Sequence, residues 1–121
     1  MIALVVDDSL ALRHIHRKAL EQASWEVRTA GNGQEALEQL EGMTACDLVL
    51  TDWHMPVMDG IELVRRIRKH ARYGGVPVLM ITSEATIDAI DVAMSAGAND
   101  VLMKPYSPEA LAERVDEVAN E

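Results

Sequence analysis

The sequence is poor in cysteine and in aromatic residues. Among its 121 residues there are one cysteine, two tryptophans, two tyrosines and no phenylalanine. A single cysteine excludes a disulfide within the chain and fits a reducing compartment. The core must therefore be aliphatic, and with 49% hydrophobic residues the chain can build a single globular core without covalent cross-links.

Positive charge and long apolar runs are also scarce. Eleven Lys and Arg oppose twenty Asp and Glu, which gives a formal net charge of −9 at pH 7. A chain this acidic lacks the basic surface that a nucleic-acid backbone requires, so we expect no nucleic-acid binding. The N-terminal apolar run, Ile2–Val6, leads directly into acids. It is neither a signal peptide nor a membrane span, and we expect a cytoplasmic protein without membrane contact.

Nothing in the sequence divides the chain into parts. It contains no linker rich in Pro, Gly or Ser and no internal repeat. We therefore expect one domain over residues 1–121, with no output module after it. Both a natural single-domain protein and a fragment of a larger regulator fit this organisation.

Short apolar runs alternate with amphipathic segments along the chain. The runs predict five strands, at 2–6, 25–30, 48–50, 76–81 and 101–103, and the segments between and after them predict five helices. Such alternation is typical of a parallel sheet with helices on both faces and right-handed crossovers. The predicted fold class is therefore α/β, a doubly wound parallel sheet.

Apolar spacing predicts the inner faces of the helices. The residues expected to mark the first and fourth helices are Leu12, Ile15 and Ala19, and Ile87, Ile90 and Met94. The third helix is expected to end near Gly74. His14, His16 and His70 lie in helical segments and lack the sequence spacing of zinc ligands. We therefore expect them to be ordinary surface or helix residues.

The ends of four predicted strands carry polar residues of complementary chemistry. In chain order these residues are Asp7, Asp8, Asp52, Thr82, Ser83 and Lys104. The active site of an open α/β sheet lies beyond the carboxyl ends of its strands, so these side chains should converge. Three carboxylates repel one another unless a cation lies among them, and hard oxygen ligands suit Mg²⁺. An aspartate can act as a nucleophile and form an acyl phosphate, while a lysine and a hydroxyl meet the phosphoryl oxygens.

Four ordered motifs resemble a known family over essentially the whole chain. They lie at Val5–Ser9, Thr51–Gly60, Ile81–Glu84 and Gly97–Pro105. The sequence is similar to the receiver domains of bacterial two-component response regulators, and especially to the single-domain, CheY-like members. The resemblance implies a flavodoxin-like (βα)5 fold with strand order 2-1-3-4-5, and a phosphorelay switch that is a phosphoprotein.

The resemblance also implies how the phosphoryl group is held. Asp52 would accept it, Thr82 would hydrogen-bond it and Lys104 would pair with one of its oxygens. The bond between Lys104 and Pro105 would be cis, which proline tolerates at low cost.

A magnesium site follows from the same likeness. Asp8 would bind Mg²⁺ directly, Asp7 would hold it largely through water, and Asp52 and the backbone carbonyl of His54 would complete the protein ligands. No other cofactor is expected.

Four positions near the site are expected to modulate it: His54, Ser83, Glu84 and Val101. His54 and Glu84 lie two residues after the phosphoacceptor and the threonine, respectively. The resemblance implies that these positions border the phosphoryl group, so we expect them to set the dephosphorylation rate. Val101 stands where the family often has an aromatic switch residue. Tyr106, two residues after the lysine, is interpreted as a packing residue at the start of the last helix.

The expected partners are a sensor histidine kinase or a phosphotransfer protein, and a downstream target protein. The target would bind the face of the fourth helix, fifth strand and fifth helix, where Ile90, Val101 and Tyr106 lie. The chain would be a monomer or a phosphorylation-dependent dimer. It would not be an enzyme beyond catalysing its own phosphorylation and autodephosphorylation.

Three other functions compete with this one. A flavin-binding electron carrier needs a hydroxyl- and glycine-rich phosphate loop after the first strand, where Asp7 and Asp8 would repel a phosphate. An aspartyl-phosphate phosphatase needs a second acid two residues after its nucleophile and a cap domain, and the segment Asp7–Leu10 lacks that spacing. An unphosphorylated adaptor with a receiver fold stays open, because the usual aromatic switch is missing.

Overall fold

Strands and helices alternate through the computed structural model, which describes residues 1–84 and 86–120. The strands are β1 Ile2–Val6, β2 Glu26–Ala30, β3 Leu48–Asp52, β4 Val78–Thr82 and β5 Asp100–Met103. The helices are α1 Leu10–Gln22, α2 Gly33–Gly42, α3 Gly60–Arg68, α4 Ile87–Ala96 and α5 Pro108–Ala119. Among the described residues, no helix is long and apolar enough to cross a membrane.

The strands form one parallel sheet in the order β2-β1-β3-β4-β5, which confirms the predicted order. In this register Val5 pairs with Leu50, and Leu50 pairs with Leu79. The carboxyl ends of the strands therefore lie at one edge of the sheet. β1, β3 and β4 are almost entirely buried, as expected of strands covered on both faces.

Alternate strand residues face two separate cores. One core, under α2, α3 and α4, contains Leu4, Val49 and Met80. The other, under α1 and α5, contains Val5 and Leu50. This is the period-2 pattern of a strand, and it places helices on both faces of the sheet.

Every helix begins at a polar N-cap whose side chain accepts a hydrogen bond from a backbone N–H three residues later. The caps are Ser9, Asn32, Asp59, Thr86 and Ser107. Such caps satisfy donors that the first helical turn leaves unpaired. Each cap fixes the start of a helix just after the loop that follows a strand. The loops at the carboxyl ends of the strands are therefore fixed by a strand at one end and by a capped helix at the other.

The prediction for the buried face of α1 was wrong at two positions. Ile15 is 54% exposed, whereas His16 is 2% exposed and lies beside Leu20 in the core. Residues four apart share a helix face, so burying Leu20 also buries position 16. The polarity of histidine predicts an exposed side chain. In the structure, a hydrogen bond to Tyr106 offsets the cost of burying the polar ring.

The buried face of α4 also differs from the prediction. Ile87 and Met94 are 77% and 44% exposed, while the residues that pack on the core are Ala89, Ala93 and Ala96. Small side chains let this helix approach the sheet closely, so the larger apolar residues are left on the outside. Size was the wrong criterion for the inner face here.

α3 ends at Arg68 rather than near Gly74 as predicted. The Arg68 guanidinium donates to the carbonyls of Gly74 and Val76, at 2.9 and 2.6 Å. These bonds fold the segment after the helix back onto its end. A side chain at Gly74 would collide with the carbonyl of His70, so glycine is required at this turn.

Candidate functional site

Three carboxylates meet where β1 and β3 end. Asp7 and Asp8 directly follow β1, and Asp52 is the last residue of β3. One oxygen from each lies within 4.8 Å of the others. Asp7 and Asp52 are buried, whereas Asp8 is exposed. The sheet topology thus brings together acids that are 45 residues apart in the chain, as the sequence predicted.

The Asp7 carboxylate is held on one side only. Its Oδ1 accepts a hydrogen bond of 2.9 Å from the backbone N–H of Ser9. Its Oδ2 is buried and has no hydrogen-bond partner among the described residues. Burial raises the pKa of Asp7, and the nearby Asp52 and Asp8 raise it further against the opposing effects of Ser9 and Lys104. A buried carboxylate oxygen without a donor is suited to a cation.

Lys104 lies opposite Asp52. Its Nζ is 3.4 Å from both carboxylate oxygens of Asp52. The backbone N–H of Trp53 donates to Oδ1 of Asp52 at 2.9 Å, which fixes the rotation of the carboxylate. Oδ2 receives no backbone donor in the described part of the chain and accepts from Lys104, so it is the less constrained of the two oxygens.

Thr82 ends β4 beside Asp52 and is 1% exposed. Its Oγ1 accepts a hydrogen bond of 3.0 Å from the backbone N–H of Glu84. A hydroxyl that accepts one hydrogen bond can still donate its proton to another acceptor. The next residue, Ser83, is exposed.

The loops after β3 and β4 are joined by a side-chain bridge. His54 Nε2 and Glu84 Oε1 are 2.6 Å apart, and both side chains are largely exposed. The His54 ring also stacks on Trp53, with centroids 5.6 Å apart. The two residues that the sequence singled out near the phosphoacceptor are therefore bonded to each other across the mouth of the acidic cluster.

Sequence comparison agrees with this geometry. The sequence model of the family described as the response regulator receiver domain matches residues 3–116 of the chain. The chain belongs to the response regulator receiver family. Receivers of this kind are phosphorylation-activated switches of two-component signalling rather than true enzymes, so the predicted family and function are confirmed.

Curated relatives of this receiver are chemotaxis proteins of similar length. Chemotaxis protein CheY1 of Helicobacter pylori is 37% identical over 119 residues, which are 98% of this chain and 96% of that protein. The CheY homolog of Campylobacter jejuni is 35% identical and is matched over 98% of this chain and 92% of its own length.

Solved structures show the same fold. The structure of CheY4 of Vibrio cholerae gives a TM-score of 0.91 at 35% identity, over 97% of both chains. The receiver domain of sensor histidine kinase PA1611 of Pseudomonas aeruginosa has magnesium coordinated in its active-site cleft. It gives a TM-score of 0.89 at 25% identity, over 99% of this chain and 98% of that one. The predicted flavodoxin-like fold is confirmed.

One position predicted to lie on the output face of this receiver is inside it. Val101 is 9% exposed and packs in the core under α2, α3 and α4. It cannot contact a target directly. Ile90 and Tyr106 are partly exposed, and the bond between Lys104 and Pro105 is cis, as expected.

The sequence did not reveal the contact between α1 and the loop after β5. The Nε2 of His16 hydrogen-bonds the hydroxyl of Tyr106, and the two rings stack with centroids 5.8 Å apart. Burial lowers the pKa of His16 to about 4, and burial raises the pKa of Tyr106 to about 12, so both are neutral near pH 7. Helical spacing from Leu20 was the signal that could have placed His16 inside.

Proposed function

We propose that Asp52 of this receiver accepts a phosphoryl group from a phosphohistidine of a sensor histidine kinase or phosphotransfer protein. The observation that supports this most directly is the position of the Lys104 ammonium, which lies 3.4 Å from both oxygens of the buried Asp52 carboxylate at the end of β3. An ordinary structural ion pair would not need two further acids beside it. Asp7 and Asp8 supply them.

The reaction uses the Asp52 oxygen that no backbone N–H holds in the described part of the chain. Oδ2 of Asp52 attacks phosphorus, the P–N bond to the donor imidazole breaks, and an acyl phosphate forms while the imidazole leaves with the electron pair. Lys104 then pairs with a phosphoryl oxygen. Thr82 donates its hydroxyl proton to another, because its own oxygen already accepts from the backbone of Glu84.

The donor set fits Mg²⁺. The proposed ligands are Asp8 directly, Asp7 largely through water, Asp52, and the backbone carbonyl of His54. The buried, unpartnered Oδ2 of Asp7 supports this, as does the magnesium in the related receiver from Pseudomonas aeruginosa. When bound, Mg²⁺ neutralises the negative charge shared by these carboxylates and the incoming phosphoryl group. Autodephosphorylation, by water attack on the acyl phosphate, belongs to the same site.

The bridge between His54 and Glu84 is proposed to set the lifetime of the phosphoryl group. It spans the two loops beside Asp52, so it would restrict the access of water to a phosphoryl group there. Ser83 and Val101 are proposed as further modulators. Ser83 is exposed next to Thr82, and Val101 shapes the core behind the switch.

The downstream target is proposed to be a protein that binds the face of α4, β5 and α5. Exposed apolar side chains on these elements, Ile87, Met94 and Met103, support this. The net charge of −9 argues against nucleic acid as the partner. A cytoplasmic location is proposed because the single thiol fits a reducing compartment. The proposed oligomeric state is a monomer or a phosphorylation-dependent dimer.

The experiment that tests this proposal is incubation with acetyl phosphate and Mg²⁺, followed by measurement of the intact mass. We expect a gain of one phosphoryl group that requires Mg²⁺ and is absent in Asp52→Asn. Asp47→Asn is the matched control, because Asp47 precedes β3 at the opposite edge of the sheet. No gain in the wild type, where another receiver is labelled, would support the unphosphorylated adaptor.

A further inference from the structure

The pair of buried His16 and partly buried Tyr106 does not itself take part in the proposed phosphoryl transfer. His16 lies on α1 and is 2% exposed, although a histidine in an aliphatic core is costly unless it is hydrogen-bonded. The Tyr106 hydroxyl supplies that bond. An apolar residue at either position would fill the core without this requirement, so the pair calls for a function.

The pair anchors the loop that carries Lys104. This loop runs from the end of β5 at Met103 to the cap of α5 at Ser107. At its start, the backbone N–H of Lys104 donates to the carbonyl of Thr82 at 2.8 Å. Among the hydrogen bonds of the described residues, the bond from Tyr106 to His16 is the one that ties the loop to α1. Lys104 is thus held between an anchor on β4 and an anchor on α1.

The anchor lies within electrostatic range of the site itself. The charges of Lys104 and Asp52 both act on the His16 ring, in opposite directions, and those of Asp7 and Asp52 act on the Tyr106 hydroxyl. A neutral imidazole at this place does not repel the lysine ammonium. The Lys104 side chain, itself only 28% exposed, can therefore extend beside the pair to Asp52.

We propose that His16 is a positioning residue of the phosphorylation site: by holding the Tyr106 hydroxyl, it fixes the loop after β5 so that the Lys104 ammonium stays over the Asp52 carboxylate. The inference rests on the proposed roles of Asp52 and Lys104. His16 touches no reacting group and acts through Tyr106.

The test measures the rate of phosphorylation by acetyl phosphate in saturating Mg²⁺, together with urea unfolding, for His16→Leu, Tyr106→Phe and the double variant. We expect each single change to slow phosphorylation on the order of tenfold, because small displacements of a positioned group cost rate steeply. The double variant leaves no buried polar group unpaired, so its stability should recover. Its phosphorylation rate should stay low, and recovery of the rate together with stability would show a purely structural role.

A second cycle asks whether the effect passes through the lysine. In a Lys104→Met background, Tyr106→Phe should cause no further loss of rate, because the group that it positions is gone. An equal loss in both backgrounds would overturn the proposal. This readout distinguishes positioning from a general loosening of the fold.

Matched controls come from the same chain. Tyr73→Phe alters the other tyrosine, which stacks on His70 away from the site, and His14→Leu alters an exposed histidine of α1. Both should phosphorylate at the wild-type rate. If Tyr106→Phe does so as well, the positioning role alone is wrong. If the wild type is not labelled, or Asp52→Asn is labelled equally, the proposed function fails and this inference falls with it.

Discussion

The Asp7 side chain combines two features that stability alone would not select. It is 1% exposed, and one of its oxygens has no hydrogen-bond partner in the described part of the structure. Burial raises its pKa above the ordinary value of 3.8. As the pH rises through this range, the unfolded chain releases its proton before the folded chain does, so ionisation destabilises the fold. Near neutral pH the buried charge is therefore a cost that a bound cation offsets.

Replacing Asp7 by asparagine should separate stability from metal binding. Without Mg²⁺ at pH 7, we expect Asp7→Asn to stabilise the fold by about 1–2 kcal/mol, since it removes an uncompensated buried charge and keeps the bond from Ser9. The added stability that Mg²⁺ gives the wild type should shrink in this variant. Urea unfolding with and without Mg²⁺ measures both quantities. Asp8→Asn is the control, and its exposed carboxylate should give no comparable gain.

The bridge of His54 and Glu84 makes a prediction about lifetime. Glu84→Ala and His54→Ala should each speed the decay of the acyl phosphate severalfold, because either change opens the path of water between the two loops. The double variant should decay no faster than the faster single variant, since both changes remove the same bridge. The decay is followed after removal of the phosphodonor. Additive effects in the double variant would show that the two side chains act separately.

At the scale of elements, Arg68 joins three parts of the chain. Besides Gly74 and Val76, its guanidinium donates to the carbonyl of Gly97 and to Oδ1 of Asn99, both at 2.9 Å. Oδ1 of Asn99 in turn accepts from the backbone of Val78 at the start of β4. The end of α3, the end of α4 and the start of β4 thus share one cation at the edge opposite the phosphorylation site.

Removing this cation should destabilise the fold without touching the chemistry. We expect Arg68→Ala to cost about 3 kcal/mol of unfolding free energy, because three carbonyls and one amide oxygen, all partly buried, lose their donor. Arg68→Lys should recover little of this, since one ammonium cannot reproduce the planar donor set. Arg66→Ala is the control, because its pair with Glu62 is exposed and screened by solvent, so its loss should cost little stability. Denaturant unfolding measures the stability of each variant. Similar losses of unfolding free energy for Arg68→Ala and Arg66→Ala would contradict the structural role proposed for Arg68.

At the scale of the whole molecule, the sequence predicted what depends on strand order and chemistry. Buried strands read as apolar runs, and parallel strands put Asp7, Asp52 and Lys104 at one edge whatever the details of packing. Helix faces were predicted less well. Ile15 points outward and His16 inward because position 16 shares the helix face of Leu20, and the Tyr106 hydroxyl makes the burial of the histidine ring possible. Helical spacing alone could have placed position 16 inside, but it could not show that a tyrosine ninety residues away in sequence would hydrogen-bond its ring.

The pH dependence of global stability follows from that same buried histidine. The folded pKa of His16 is about 4, below its ordinary value of 6.5. Between these values the unfolded chain binds a proton that the folded chain does not, so stability is lost as the pH falls from 6.5 toward 4. The loss is about 3 kcal/mol by linkage.

The double variant His16→Leu with Tyr106→Phe should lack this loss, because neither new side chain titrates. We expect the difference in unfolding free energy between wild type and double variant to change by about 3 kcal/mol across the window, in favour of the variant at the acidic end. Asp7 acts in the opposite direction at low pH, but it is common to both proteins and cancels in the comparison. Urea unfolding at closely spaced pH values measures this difference. Parallel curves would mean that the His16 ring takes up its proton as readily in the folded protein as in the unfolded chain, contrary to its burial against Tyr106.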